Sequence, residues 1–205
     1  LSRGLGDVYK RQRDPRRFPS WSNHRFKIIR IENTFLTESK IMSVAKQLIN
    51  ESLSTATFCV NAYLQDLSDE DLLRRPCDGG NHIAWQLGHL LASDNRLINS
   101  VCPGSMPDLP SGFADQHSKE NAGVDVASSF LTKQQYLELM VTQHQALRDA
   151  LSTMTDEDLQ QESPEGIREY APSVGSIFNL TPSHWMMHSG QWVIVRRQLG
   201  KEALF

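Results

Sequence analysis

No stretch of this 205-residue chain holds the roughly 18 consecutive apolar residues that a membrane-spanning helix needs. The most apolar run, Ile83–Leu91, is broken by Gln86 and His89, so a membrane is not an expected partner. Cysteine is scarce as well. Cys59, Cys77 and Cys102 lie 18 and 25 residues apart and form no CxxC pair, which speaks against a thiolate zinc site and a disulfide framework. Three cysteines cannot all pair with one another, and no signal-like segment precedes them, so a reducing cytoplasm is the expected setting. Cys77 sits in a loop-like stretch, as a bystander thiol or a reactive one. Sustained alternation of apolar and polar residues, the mark of a half-buried strand, is missing.

Basic charge is also missing from most of the chain. Residues 1–41 carry 10 Lys/Arg against 4 Asp/Glu, whereas residues 42–205 carry 11 against 20, a balance of −9. An acidic domain repels phosphate backbones, so nucleic acid is not an expected partner. The first 41 residues have little periodicity. Their opening, "LSRGLGDVYKRQ", resembles a translated sequencing-adapter artefact of assembled environmental sequence. On that reading residues 1–41 are a non-native or disordered extension and the native chain starts at Met42, with 42–205 as one domain. The competing reading is a basic tail for nucleic acid or membrane.

What residues 42–205 do have is helical periodicity. Val44, Leu48, Leu53, Phe58, Val60 and Leu64 recur at helical intervals. After "LSDEDLLRRP", Asn81 is the expected N-cap of a second helix running to about Ser100, with a stripe of Ile83, Leu87, Leu90, Leu91, Leu97 and Ile98. "CPGSMPDLPSG" is loop, and a third helix is expected from Thr132 with Leu137, Met140, Val141, Leu147 and Leu151 on one face. "SPEGIREYAPS" is a second loop. The last element spans about Ser173–Leu199 and stops at Gly200. Pro182 is expected to interrupt it, with Thr181–Pro182 restarting the helix as N-cap and N1. Four long helices imply an all-α fold, a four-helix bundle.

The chemistry lies in the histidines. His184 and His188, in "TPSHWMMHSGQW", stand one turn apart on the side of Gln191, Trp192, Val195 and Leu199. Both imidazoles therefore face the interior, where each ring nitrogen needs a partner. A divalent metal meets that need at i,i+4 spacing, and so do ordinary core hydrogen bonds. His89 lies off the centre of its helix's stripe, with Trp85, Ala92 and Arg96.

"NHIAWQLGHLLASDNRLI" and, about 95 residues later, "HWMMHSGQWVIVRRQLGK" together resemble the DinB-like (YfiT-like) superfamily, over most of residues 42–205. The resemblance implies an up-down-down-up four-helix bundle holding a divalent metal on three histidines. Those become His89 on the second long helix and His184 and His188 on the fourth. Gln191 matches the family's "GQ" glutamine, the preferred residue to support a ligand from behind. Pro182 departs from the smooth helix of many relatives.

Three neutral imidazoles leave an ion its full charge and an open corner, the layout of a Lewis-acid site. Zinc or nickel suits such ligands best, with manganese or iron as alternatives. The resemblance implies a metal-dependent S-transferase that joins a low-molecular-weight thiol to a small electrophile. Its alternatives are a metal-dependent hydrolase and a non-catalytic, stress-associated metal-binding bundle of bacterial type. His144, on the third helix's stripe, is a supporting or a structural histidine. His82 lines a pocket mouth or is solvated, His117 is expected on the surface, and Asp94 and Asn95 are candidates to hold a ligand imidazole. Trp85, Trp185 and Trp192 wall a pocket or simply pack. A homodimer through exposed helix faces is the expected assembly, with no face singled out.

Overall fold

The structure, a computed structural model, describes residues 42–205, so the reading of residues 1–41 as an extension lies outside the described residues. Six α-helices form among them: α1 Val44–Leu64, α2 Ile83–Val101, α3 Phe113–Gln116, α4 Lys133–Thr153, α5 Asp156–Gln160 and α6 Val174–Gln198. Side-chain caps start the long ones where the chain stops being loop. Ser43, Thr132 and Ser173 accept from the first-turn amides of α1, α4 and α6, satisfying donors that a helix start leaves open. The cap of α2 is His82, not Asn81: its Nδ1 accepts the Trp85 amide at 3.0 Å. Gly200, at φ +71°, follows the end of α6, in the left-handed region that glycine reaches without strain.

Cross-helix contacts give the topology. α1 runs antiparallel to α4, with Arg148 donating to Asn50 and Lys133 to the Leu64 carbonyl. It runs parallel to α6, where Arg196 reaches Tyr63 and Asp66 near the C-terminal end of α1. α2 opposes α6 through Asp94–Trp185 and Gln86–Trp192. α2 and α4 run parallel, with Asn95 beside Gln143. The order is therefore up-down-down-up, as the four-helix expectation has it. α1 and α2, though consecutive, are not packed side by side; each lies between α4 and α6. Parallel α2 and α4 force the chain to travel back along the bundle, which residues 102–132 do.

Two apolar clusters fill the interior. One gathers Val60, Leu64, Leu87, Leu91, Trp185 and Trp192, the other Leu53, Ile98, Leu147, Leu151 and Phe178. The stripe of α2 is buried as expected. That of α1 is not: Val44, Leu48 and Phe58 are exposed, and the buried line is Ile49, Leu53, Ala56, Val60 and Leu64. Only the second set keeps a steps-of-three-and-four spacing on one side. Val141 is likewise exposed, on the outer side of α4.

Pro182 does not interrupt α6. The helix is continuous through it, and Thr181 and Pro182 are both buried. Proline inside a helix removes the amide that would bond the Phe178 carbonyl, a loss of about 3 kcal/mol in an isolated helix. Packing outweighs it here. The buried positions Ile177, Phe178, Thr181, Trp185, Ser189 and Trp192 keep one helical phase across the proline, which a restart would break.

Candidate metal centre

His89, His184 and His188 come together between α2 and α6. One ring nitrogen from each lies within 4.8 Å of the others. The ring centroids stand 5.2 Å apart for His89–His184, 5.5 Å for His89–His188 and 4.8 Å for His184–His188. His188 Nε2 and His184 Nε2 face each other at 3.1 Å. Two imidazoles on a tetrahedral ion at about 2.0–2.1 Å place their nitrogens about 3.3 Å apart, so the observed pair needs little adjustment.

The protonation of His188 follows from its surroundings. Trp192 Nε1–H, which can only donate, meets Gln86 at 2.8 Å, so that Gln86 atom must be the carbonyl oxygen. The same Oε1 lies 3.0 Å from His188 Nδ1, which must then carry the hydrogen. Nε2 is left with its lone pair, aimed at His184 and into the cluster. The Gln86 amide nitrogen donates to Asn81 O at 2.5 Å and to Gln191 Oε1 at 3.2 Å. Gln86, fully buried, is thus the group that sets the ring from behind, a role metal-ligating imidazoles ordinarily assign to such a partner. Gln191 makes no hydrogen bond to the histidine; it accepts from Gln86. Sequence reasoning passed over Gln86, although its place one turn before His89 and Leu90 on α2 was a signal: a polar side chain within an otherwise buried stretch.

All three rings are held neutral. Burial pushes His184 and His188 down to about 4, with His89 adding to the shift of each and His184 to that of His188. Burial also lowers His89, and Lys119 and Arg96 lower it further. Trp85 stacks on His89 at 4.9 Å, nearly parallel, and its Nε1 donates to Ser118 O. It fixes the ring plane rather than walling a pocket. His89 is one wall of a cleft of about 680 Å³ between α2 and the crossover.

The remaining candidates belong elsewhere. His82 is fully buried, neither solvated nor at a pocket mouth. With Nδ1 capping α2, its Nε2–H donates to Val124 O at 2.9 Å. His117 is buried, not on the surface. Its Nδ1–H donates to Phe113 O at 2.8 Å and its Nε2 accepts from Tyr136 at 2.7 Å. Its ring lies so close to α2 that a Cβ on Gly88 would stand 2.0 Å from it. These side chains, with Trp85 and Asn95, fasten the crossover to the bundle; Asn95 and Gln143 both donate to Pro107 O. Loop histidines look solvated in sequence because the groups that bury them are remote in the chain.

His144 does not reach the cluster. It donates from Nδ1 to Thr57, whose own hydroxyl hydrogen goes to Leu53 O, and its ring meets Trp185 edge-on. Its Nε2, 3.9 Å from Asp94 Oδ2, has no hydrogen-bond partner. Asp94 accepts from Trp185 Nε1 at 2.6 Å, not from a ligand imidazole. Burial raises its carboxyl to about 7, against the pull of Trp185 and of Thr181, which lies close without hydrogen-bond geometry. Of the tryptophans, Trp185 and Trp192 are fully buried and hold polar partners rather than a pocket wall.

The described residues therefore form an all-α, up-down-down-up four-helix bundle with a three-imidazole cluster between its second and fourth long helices. The chain belongs to the DinB superfamily, whose family model matches residues 59–192. A conserved protein from Enterococcus faecalis has a similar structure, with 18% identity, 78% of this chain and 99% of that chain covered, and a TM-score of 0.60. So does YfiT from Bacillus subtilis, described as a probable metal-dependent hydrolase with an unusual four-helix bundle topology, at 18% identity, 80% and 93% coverage and a TM-score of 0.53. Likeness at that identity speaks for the fold alone. No curated protein matches the chain significantly. Among the described residues no helix is long and apolar enough to cross a membrane.

Proposed function

We propose that this chain binds one divalent metal ion through His89, His184 and His188 and uses it to transfer a low-molecular-weight thiol onto a small electrophile. The observation that carries the metal reading is the lone pair of His188 Nε2, fixed by Gln86 and Trp192 and facing His184 at 3.1 Å. Donor type and spacing suit zinc or nickel, with manganese or iron as alternatives. Bound there, the ion supplies a Lewis acid that favours the deprotonated form of a coordinating thiol or water at neutral pH. The protein holds three rings neutral near pH 7, so a metal does not compete with an imidazolium charge. Trp85 and Gln86 keep two of those rings oriented, and the cleft beside His89 admits a small molecule.

Thiol transfer is favoured over hydrolysis because, among the described residues, the only carboxylate lining that cleft is the exposed Asp115. Hydrolysis is the second reading, supported by the description of the Bacillus subtilis relative. Protein purified without an affinity tag is expected to carry one divalent metal per chain, and His188→Ala far less. Native protein without stoichiometric metal would sink the metal reading. Metal-loaded protein no faster than metal-free across several bacterial thiols with chlorinated or epoxide electrophiles would sink the transferase.

A further inference from the structure

The cleft beside the histidine cluster carries a charge pattern out of keeping with the domain around it. Residues 42–205 have a net balance of −9, yet this cleft is edged by Arg96 and Lys119, with Asp115 as its one carboxylate. Its floor is one stripe of α2: His89, Ala92, Ser93 and Arg96 follow at i, i+3, i+4 and i+7. Its wall is the crossover, held in place by His117 packed on Gly88 and by Trp85 bonded to Ser118, the residue before Lys119. Both cations are therefore mounted on anchored backbone.

Of the other cations among the described residues, seven are occupied, and Arg74 and Arg197, which have no such partner either, do not line the cleft. Arg75 pairs with Asp125, Arg168 with Glu162, and Arg196 and Lys201 with Asp66. Lys46, Lys133 and Arg148 are spent on carbonyls. Among the described residues, Arg96 and Lys119 have neither an ion pair nor a side-chain hydrogen bond, with Asp115 or any other group. Both line the same cleft as His89. An open positive edge in a cleft that reaches the histidine cluster is arranged for an anion that the cluster itself does not supply.

We propose that the cleft is an anion subsite in which Arg96 and Lys119 hold a carboxylate of the substrate while its other end lies at the histidine cluster. This rests on the metal reading given above and deepens it by naming a substrate class: a small acid with its reactive atom and its carboxylate at opposite ends. Seven residues of α2 separate His89 from Arg96, about 10 Å of rise, which the long Arg96 side chain shortens. A flexible linker of several bonds fits that gap; a two-carbon one does not.

The test uses the full chain loaded with cobalt, whose absorption reports thiolate ligation directly, without any turnover. Matched ω-mercaptocarboxylates and ω-mercaptoalcohols of increasing chain length are titrated into the native protein and into Arg96→Gln/Lys119→Gln. Both residues are exposed, so the double variant is expected to fold, which its melting curve checks. The acid is expected to bind at least about fivefold tighter than the alcohol at the longer chain lengths. The ratio should fall to about one in the double variant and shrink for native protein as salt is raised. Equal binding of acid and alcohol by native protein overturns the subsite and leaves the metal reading standing. A preference that survives in the double variant overturns the assignment to Arg96 and Lys119. Loaded protein whose spectrum no thiol changes overturns the open-corner reading and the subsite with it.

Discussion

Replacing Gln86 by Leu tests whether a buried amide, and not packing alone, sets the histidine cluster. The two side chains have similar volume, so the change is mainly one of hydrogen bonds. Gln86 Oε1 accepts from Trp192 Nε1–H and His188 Nδ1–H. Trp192 is fully buried, so its indole hydrogen loses its partner and finds no water, a penalty of about 1–3 kcal/mol. His188 is only half-buried and can turn toward solvent, which is how its Nε2 leaves the cluster. For a domain of this size each kcal/mol lowers Tm by about 2–4 °C, so metal-free Q86L should melt about 2–12 °C below native. Loss of an orienting partner should weaken metal binding about 10–100-fold, read by competition against a chromophoric chelator near pH 7.5. Gln86→Glu keeps an oxygen for both donors but sets its second oxygen against Asn81 O and Gln191 Oε1. It should lose stability while holding metal within about threefold of native. If Q86L folds and binds metal within that same margin, Gln86 is filler and the tautomer argument fails.

Asp94 and His144 should oppose each other in their effect on stability. The depressed His144, at about 4, contributes stability that is present above the unfolded value near 6.5 and lost as pH falls through 4. The raised Asp94, at about 7, contributes stability that is present below the unfolded value near 4 and lost as pH rises through 7. Relative to native, Asp94→Asn should therefore lose stability from pH 6.5 to 4.5 and His144→Gln should gain it; urea melts at the two pH values decide, and parallel curves for both variants would refute the pairing. Gly88→Ala drives a Cβ into the His117 ring and should destabilise by about 1–3 kcal/mol through overpacking, with hydrogen exchange rising in residues 102–132; an unchanged melt would contradict the close approach. Pro182→Ala restores the amide facing the Phe178 carbonyl and should raise stability by about 1–2 kcal/mol, whereas a lower Tm would show that the buried ring is worth more than the missing bond.

Much of this was readable from one-dimensional pattern. The α2 stripe, the Thr132 and Ser173 starts and the stop at Gly200 are local: each depends on residues within a turn or two, where propensity, capping and φ preference act. So is the i,i+4 relation of His184 and His188, since one helix carries both. The α1 stripe failed because a long amphipathic segment offers more than one plausible apolar line, and only the neighbours α4 and α6 choose between them.

Sequence by itself determined that residues 42–205 are helical, that their caps and breaks fall near where they do, and that two imidazoles share one inner face. Tertiary structure turns His89 toward them, a residue that helical spacing left open and only the family resemblance singled out, and it alone decided that Pro182 stays inside a helix and that Gln86 rather than Gln191 grips His188. It also decided that His82 and His117 are buried under the crossover. Each of those outcomes is a contact between residues tens of positions apart. Its energy exists only once α2, α6 and the returning loop are packed together, so no local pattern encodes it.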